Sequence, residues 1–184
     1  VATLGGTNLV FRNDGLEPDA YANDATYSSS FNVPIGPSSI TIPIVVSAPD
    51  KDTSSNSVTY TVIPLPPNDY FTNATKVPAG GTNYFTKNSR ATLETNEMAH
   101  AGVSSAAASL WWNFTSPVTT NILIDTGGSG FTSIVAVYTN LPGSNTISTL
   151  RSVVSAVGSS SRPGAFVNFK AQAGLGYRIA VAGK

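Results

Sequence analysis

The fold is decided by the stretch Ser109-Leu-Trp-Trp-Asn-Phe-Thr115. Its large side chains Leu110, Trp112 and Phe114 occupy every second position, which places them on one face of a β-strand. Trp111 then lies on the opposite face. We therefore predict a strand here whose inner face supplies aromatic core, with Trp111 directed outward.

The same alternation recurs further along the chain. Short stretches rich in glycine, proline, serine and asparagine separate these segments and predict turns. Many short strands at regular spacing are typical of a β-sandwich or barrel. The five further strands predicted here cover Asn121–Asp125, Ser133–Thr139, Thr149–Val157, Ala165–Lys170 and Gly176–Val181.

The first third of the chain has a similar pattern but fewer strands. Two segments, Ser38–Ser47 and Asn56–Ile63, are rich in β-branched residues whose side chains alternate between two faces. They flank a polar loop, which predicts an antiparallel hairpin. Tyr27–Pro34 and Thr7–Arg12 are two further predicted strands. About four strands are fewer than the roughly seven of an immunoglobulin-like sandwich, so we expect this part to be incomplete.

A proline-rich segment divides the chain. Ile63–Asp69 carries three prolines in four positions, and proline both fixes φ and removes a backbone donor. Such a segment is extended and semi-rigid, as in a linker between domains. We therefore predict an all-β chain of two modules, residues 1–65 and residues 66–184.

Composition excludes several classes of function. The 184 residues include 23 serines and 21 threonines, only 11% are charged, and there is no cysteine and a single histidine. Disulfide scaffolds, thiol nucleophiles, cysteine-ligated metals and two-histidine sites are therefore excluded. No run of about 18 apolar residues is present, so no transmembrane helix is predicted.

Charge is divided between the two modules. Residues 1–65 carry six acidic and two basic side chains, a net charge of −4, whereas residues 66–184 carry eight basic and four acidic ones, a net charge of +4. The basic half has no lysine or arginine cluster, so nucleic acid is not a predicted partner. Two readings stay open: a chance distribution, or attraction between the two ends, within one chain or between chains.

Six stretches occur in a fixed order in the second module: Pro67–Thr75 (PNDYFTNAT), Ala91–His100 (ATLETNEMAH), Ser109–Thr115 (SLWWNFT), Asp125–Ser129 (DTGGS), Ile134–Thr139 (IVAVYT) and Tyr177–Val181 (YRIAV). This ordered set, spanning residues 67–183, resembles the bacterial pre-peptidase C-terminal (PPC) type of β-sandwich domain. The resemblance implies a jelly-roll-like sandwich, secretion, and a noncatalytic role in adhesion or polymer binding. Residues 1–65 are similar to the Ig-like or cadherin-like modules that precede such domains in large secreted bacterial proteins.

Some relatives in that family bind calcium, a cation that prefers six to eight oxygen ligands. One departure weakens the match, because Phe131 is followed here by Thr132, where the family often has an aspartate. A second acidic segment, residues 13–24, fits no calcium-loop spacing and is interpreted as a polar loop. The acidic positions that match the family are Asp69, Glu94, Glu97 and Asp125.

No catalytic residue is assigned. His100 has nearby serines but no nucleophile elbow around them, so a surface or turn-packing role is favoured. Glu94 and Glu97 as a glycosidase pair are not favoured either, because nothing separates their pKa values predictably. Trp111 and Tyr138 are the candidate ligand-binding side chains, able to stack on a sugar or pack on a neighbour. Burial of Trp111 under a loop is the open alternative.

The chain starts at Val1 instead of methionine, and we expect either a fragment of a longer secreted protein or a processed subunit. An incomplete module exposes strand edges, which favour pairing with another chain. The sequence thus predicts a noncatalytic extracellular module that binds a polymer or cell surface. The alternative is a filament subunit that joins copies of itself head to tail, with Val1–Phe11 as the donor strand.

Overall fold

The computed structural model of the chain describes residues 2–4, 6–32, 39–47, 49–106 and 108–183. About 40% of the residues lie in strands, and within these ranges no helix reaches seven residues, so the all-β prediction is confirmed. The chain divides into two compact units, Val1–Pro64 (unit 1) and Leu65–Lys184 (unit 2). Among the helical segments described, none is long and apolar enough to cross a membrane.

Unit 1 contains one antiparallel sheet. The predicted hairpin is present, because β3 pairs with β4 along its whole length, from Ser39–Thr61 to Val46–Ser54. A small core of Ala2, Ile40, Ile42 and Val62 lies on one face. The sheet has the order β2-β1-β3-β4, with β1 at Ala2–Leu4, β2 at Thr7–Leu9, β3 at Ser39–Val46 and β4 at Ser54–Thr61.

Within the described part of unit 1, no second sheet faces the first, so the Ig-like sandwich is not confirmed. The strand predicted at Tyr27–Pro34 is reduced to one bridge, between Arg12 and Ser28, and residues 33–38 lie outside the described residues. The physical reason lies in residues 13–26, whose Asn and Asp side chains accept backbone N–H groups and hold a loop instead of a ladder.

The segment predicted as a donor strand already pairs with strands of its own unit. Over Ala2–Leu4 and Thr7–Leu9 it forms a hairpin, and Ala2 pairs with Ile44 of β3 and is buried. Val1 and Gly5 of this segment lie outside the described residues. Donation of this strand to another copy stays a prediction, and it would require the segment to leave this core.

Unit 2 contains two sheets, and all six strands predicted for it are found within two residues of the expected bounds. The larger sheet has the order β5-β6-β11-β8-β9, and the smaller one pairs β10 with β7. The strands are β5 Thr75–Lys76, β6 Ser109–Thr115, β7 Thr120–Asp125, β8 Ser133–Asn140, β9 Leu150–Val157, β10 Phe166–Ala171 and β11 Gly176–Gly183.

The central strands of the five-stranded sheet, β6, β11 and β8, are covered on both faces, whereas most of β9 is exposed. One face packs against β10 and β7 through a core that includes Trp112, Val137 and Phe169. The other face, which carries Trp111 and Tyr138, is covered by the segment that precedes β6. Strand β8 is therefore buried at six consecutive residues, the pattern of a central strand covered on both sides.

The covering segment is bonded to the edge of β6 that faces away from β11. The Trp111 amide donates to the Asn68 carbonyl at 2.9 Å, and the Asn68 side-chain amide donates to the Trp111 carbonyl at 3.0 Å. Further along, the Ser109 amide donates to the Thr92 carbonyl at 3.0 Å, and β5 pairs with β6 in parallel. These bonds hold residues 68–92 over the sheet face that carries Trp111.

Gly158 at the turn after β9 is expected to be intolerant of substitution. A Cβ at this position would overlap the Pro163 carbonyl oxygen, which is backbone and already accepts from the Ser133 amide. We expect Gly158→Ala to destabilise unit 2 by about 3 kcal/mol in urea unfolding. Gly130→Ala, with open space around its Cβ, is the control, and an equal loss in both variants would contradict the clash.

Candidate functional site

The covered face of the larger sheet holds the chain's one histidine in a polar cluster. Tyr138 projects from β8 and Trp111 from β6, while His100 begins a 3-10 turn at His100–Gly102. Three acidic residues that the sequence singled out also lie on the covering segment. We call the set the His100 cluster: Asp69, Glu94, Glu97, His100, Trp111 and Tyr138.

His100 is held by both ring nitrogens. Nδ1 lies 2.7 Å from the Tyr138 hydroxyl, and Nε2 lies 2.7 Å from Oε1 of Glu97. All three groups are buried, with 1% of His100 and 2% of the Glu97 side chain exposed. An ionised carboxylate only accepts hydrogen bonds, so Nε2 of His100 carries a proton. Of the two roles expected for His100, at the surface or packed in a turn, the structure shows the second, because His100 is buried at the start of a 3-10 turn.

Trp111 is part of the packing around this histidine. Its ring makes edge contacts with Phe71 at 5.3 Å and with His100 at 5.4 Å between centroids. Of the two alternatives that the sequence left open for Trp111, an outward position and burial under a loop, the structure shows burial, because Trp111 is 0% and Tyr138 only 2% exposed. Alternation places Trp111 on the opposite face from Trp112, as predicted, but the covering segment buries that face too. Neither ring offers a surface on which a ligand could stack.

Asp69 and Glu94 bind backbone amides of the covering segment. Asp69 accepts from the Thr92 amide at 2.6 Å and from the Thr92 hydroxyl at 2.9 Å. Glu94 accepts from the Phe71 amide at 2.5 Å, and Glu97 accepts from the Glu94 amide at 2.8 Å. The carboxylates therefore hold two loops together, and both oxygens of Asp69 and of Glu97 have hydrogen-bond partners.

The two glutamates have pKa values that move in opposite directions. Burial tends to raise the pKa of Glu97, but hydrogen bonds from His100, Ser109 and the Glu94 amide outweigh burial and leave it lowered. The Ser109 hydroxyl lies beside the carboxylate, although its geometry falls short of a full hydrogen bond. Burial raises the pKa of Glu94, opposed by the Phe71 amide and assisted by the charges of Glu97 and Asp69.

The four residues of the calcium hypothesis do not all meet. Asp69, Glu94 and Glu97 lie in the cluster, but Asp125 ends β7 in the other sheet, where it accepts from the Gly127 amide and lies 3.6 Å from Arg162. Among the residues that the structure describes, no three acidic or histidine side chains are arranged to hold a metal ion. Calcium binding stays a prediction that the arrangement of these described residues does not support.

A hydroxyl, an imidazole and a carboxylate in series also resemble the nucleophile, base and orienting group of a hydrolase. Here the hydroxyl is buried, and burial together with the Glu97 charge raises the pKa of Tyr138 to about 12. A substrate cannot reach it unless the covering segment opens. A cavity of about 560 Å³ lies elsewhere, in unit 1 beside β2, lined by Leu9, Arg12 and Phe31 among others.

Glu94→Gln is expected to stabilise unit 2 at neutral pH. A pKa raised by folding gives stability that is present below the unfolded value near 4.5 and lost as pH rises through the folded value. Glutamine keeps the acceptor for the Phe71 amide and carries no charge, so we expect a melting temperature about 1–3 °C higher at pH 7. The gain should vanish near pH 3. Glu17→Gln makes the same charge change in unit 1, and an equal gain there would argue against a local cause.

Comparisons with protein-family models, with curated proteins and with solved structures found no match to this chain. The resemblance to PPC-type domains over residues 67–183, and that of residues 1–65 to Ig-like modules, therefore stay predictions that rest on the quoted sequence.

Proposed function

We propose that this chain is a noncatalytic structural or adhesive β module that acts outside the cell. The observation that carries the proposal is the state of its most reactive side chains: His100, Glu97 and Tyr138 are buried, bonded to one another, and fasten a loop to a sheet. The Ser/Thr-rich, weakly charged, cysteine-free composition is further support.

Of the two modes of action considered, self-association has the more specific support. Binding to a polymer or cell surface was predicted to use Trp111 and Tyr138 as contact residues, and both are buried. Self-association needs open strand edges, and in the described residues the long edges without a bulge or a basic side chain are those of β4 and β7. We therefore favour a subunit that assembles with copies of itself and keep binding to a polymer or cell surface as the second candidate.

The test combines light scattering and negative-stain electron microscopy over a concentration series with a binding assay on polysaccharides and cell surfaces. Growth into ordered polymers supports the structural role, and monomers that bind a surface support the adhesive role. Monomers that bind nothing would contradict both. Hydrolytic activity that is lost in His100→Ala would contradict the noncatalytic assignment.

A further inference from the structure

The two sheets that form the core of unit 2 are unequal. Among the described residues, five strands form one layer, and two strands, β7 and β10, face them. Ile122 and Ile124 of β7 pack against the shared core but are only partly buried. On the outer face of this pair, Leu123 is 65% and Phe166 is 48% exposed. A two-stranded sheet is marginal by itself, so the edge of β7 is a site at which a further strand would add both hydrogen bonds and apolar cover.

Most sheet edges in the described residues are protected against such pairing. Strands β2 and β5 have only three and two residues. Strand β9 carries Arg151 and a register shift opposite Val137 and Tyr138, and β10 carries Lys170 and packs beside β9. Short strands, bulges and basic side chains are the devices that keep edges from pairing.

Strands β4 and β7 lack these devices. The eight residues of β4 (SSNSVTYT) include no charge and no proline, every one of them is exposed, and β3 is its one described strand neighbour. The six residues of β7 (TNILID) have no basic side chain, and Asp125 at their end lies near Arg162. Both strands keep an unbroken register with their partner, so both edges are regular.

Both edges carry exposed apolar side chains, and the units to which they belong have opposite net charges. Val58 and Tyr60 share a face of β4 and are 38% and 49% exposed, and Leu123 is the exposed apolar residue of β7. The unit that contains β4 has a net charge of −4, and the unit that contains β7 has one of +4. Pairing of β4 with β4, or of β7 with β7, would instead bring together units of like charge, which is unfavourable.

We propose that β4 of one copy pairs with the free edge of β7 of a second copy, so that the sheet of unit 1 continues into the two-stranded sheet of unit 2. Val58 and Tyr60 then pack beside Leu123 as cross-strand neighbours. The contact joins different surfaces of the two copies, so it leaves an edge free at each end and propagates. This inference rests on the proposed structural function and names the surfaces through which it would act.

The absence of cysteine from the sequence makes a crosslinking test direct. Val58→Cys and Leu123→Cys chains are prepared separately, mixed, and treated with a short bismaleimide. We expect a covalent dimer in the mixture and little in either variant alone. A mixture of Val58→Cys with Phe85→Cys, whose ring is 99% exposed in a loop, is the control for random collision.

Assembly of full-length charge variants gives a second readout. Leu123→Glu removes an apolar side chain from the β7 edge and places an anion opposite the acidic unit, so it is expected to raise the concentration needed for assembly at least about tenfold. Phe85→Glu makes the same charge change away from the edge and should leave assembly unchanged; circular dichroism checks that both variants fold.

The outcomes separate this inference from the proposed function. Polymers that form without the mixed crosslink, or with crosslinks in one variant alone, would overturn the β4–β7 pairing and leave a structural role standing. Monomers at every concentration would overturn the self-assembling function itself, and the pairing with it.

Discussion

Trp111→Ala is expected to destabilise unit 2 by about 3–5 kcal/mol, the range for removal of a fully buried aromatic side chain. The ring is 0% exposed and packs between Phe71, His100 and Tyr138, so its loss leaves a cavity under the covering segment. Urea unfolding followed by the fluorescence of the remaining Trp112 measures the change.

Phe85→Ala is the matched control for this loss. It removes an equally apolar but 99% exposed ring, and the expected change lies within about 0.5 kcal/mol. If Trp111→Ala were as mild as the control, Trp111 would be a surface residue, as its outward position in the sequence pattern first indicated.

His100→Ala is expected to cost about 3–5 kcal/mol, because it leaves the buried Glu97 carboxylate without its charge-assisted partner. Tyr138→Phe removes one hydrogen bond of the same network and should cost less, about 1–3 kcal/mol. Adding Glu97→Gln to His100→Ala should recover part of the loss, since the unpaired buried charge is then gone. A strictly additive double variant would contradict this account.

His100→Ala should also change how the stability of unit 2 depends on pH. A pKa lowered by folding, as at Glu97, gives stability that is present above the unfolded value near 4.5 and lost as pH falls through the folded value. Wild-type unit 2 should therefore weaken below about pH 4.5. In His100→Ala the strongest of the hydrogen bonds that lower this pKa is gone, so the acid-dependent loss should shrink. Unfolding curves at pH 3, 5 and 7 measure it.

The sequence located the strands of unit 2 well, since alternation and turn residues are local signals. The segments predicted at Ser109–Thr115 and Ser133–Thr139 match β6 and β8 to within one residue. It was less successful in unit 1, where Asn and Asp side chains of residues 13–26 bond backbone amides and replace the expected strand pairing. Such bonds depend on which loop conformation is adopted, which the pattern does not show.

The sequence singled out the residues of the candidate site, but it did not predict which of them contact one another. The three-residue spacing of Glu97 and His100 and the apolar run around Tyr138 are local signals, but nothing in the sequence pattern indicates that His100 and Tyr138 are hydrogen-bonded. Only the tertiary structure shows that both faces of β6 are covered. Trp111 is buried for this reason. A strand pattern tells which side chains share a face, whereas burial of that face depends on a segment far away in the chain. Alternation thus determined the all-β fold, and long-range packing determined that the His100 cluster is buried and that β4 and β7 have one open edge each among the described strands.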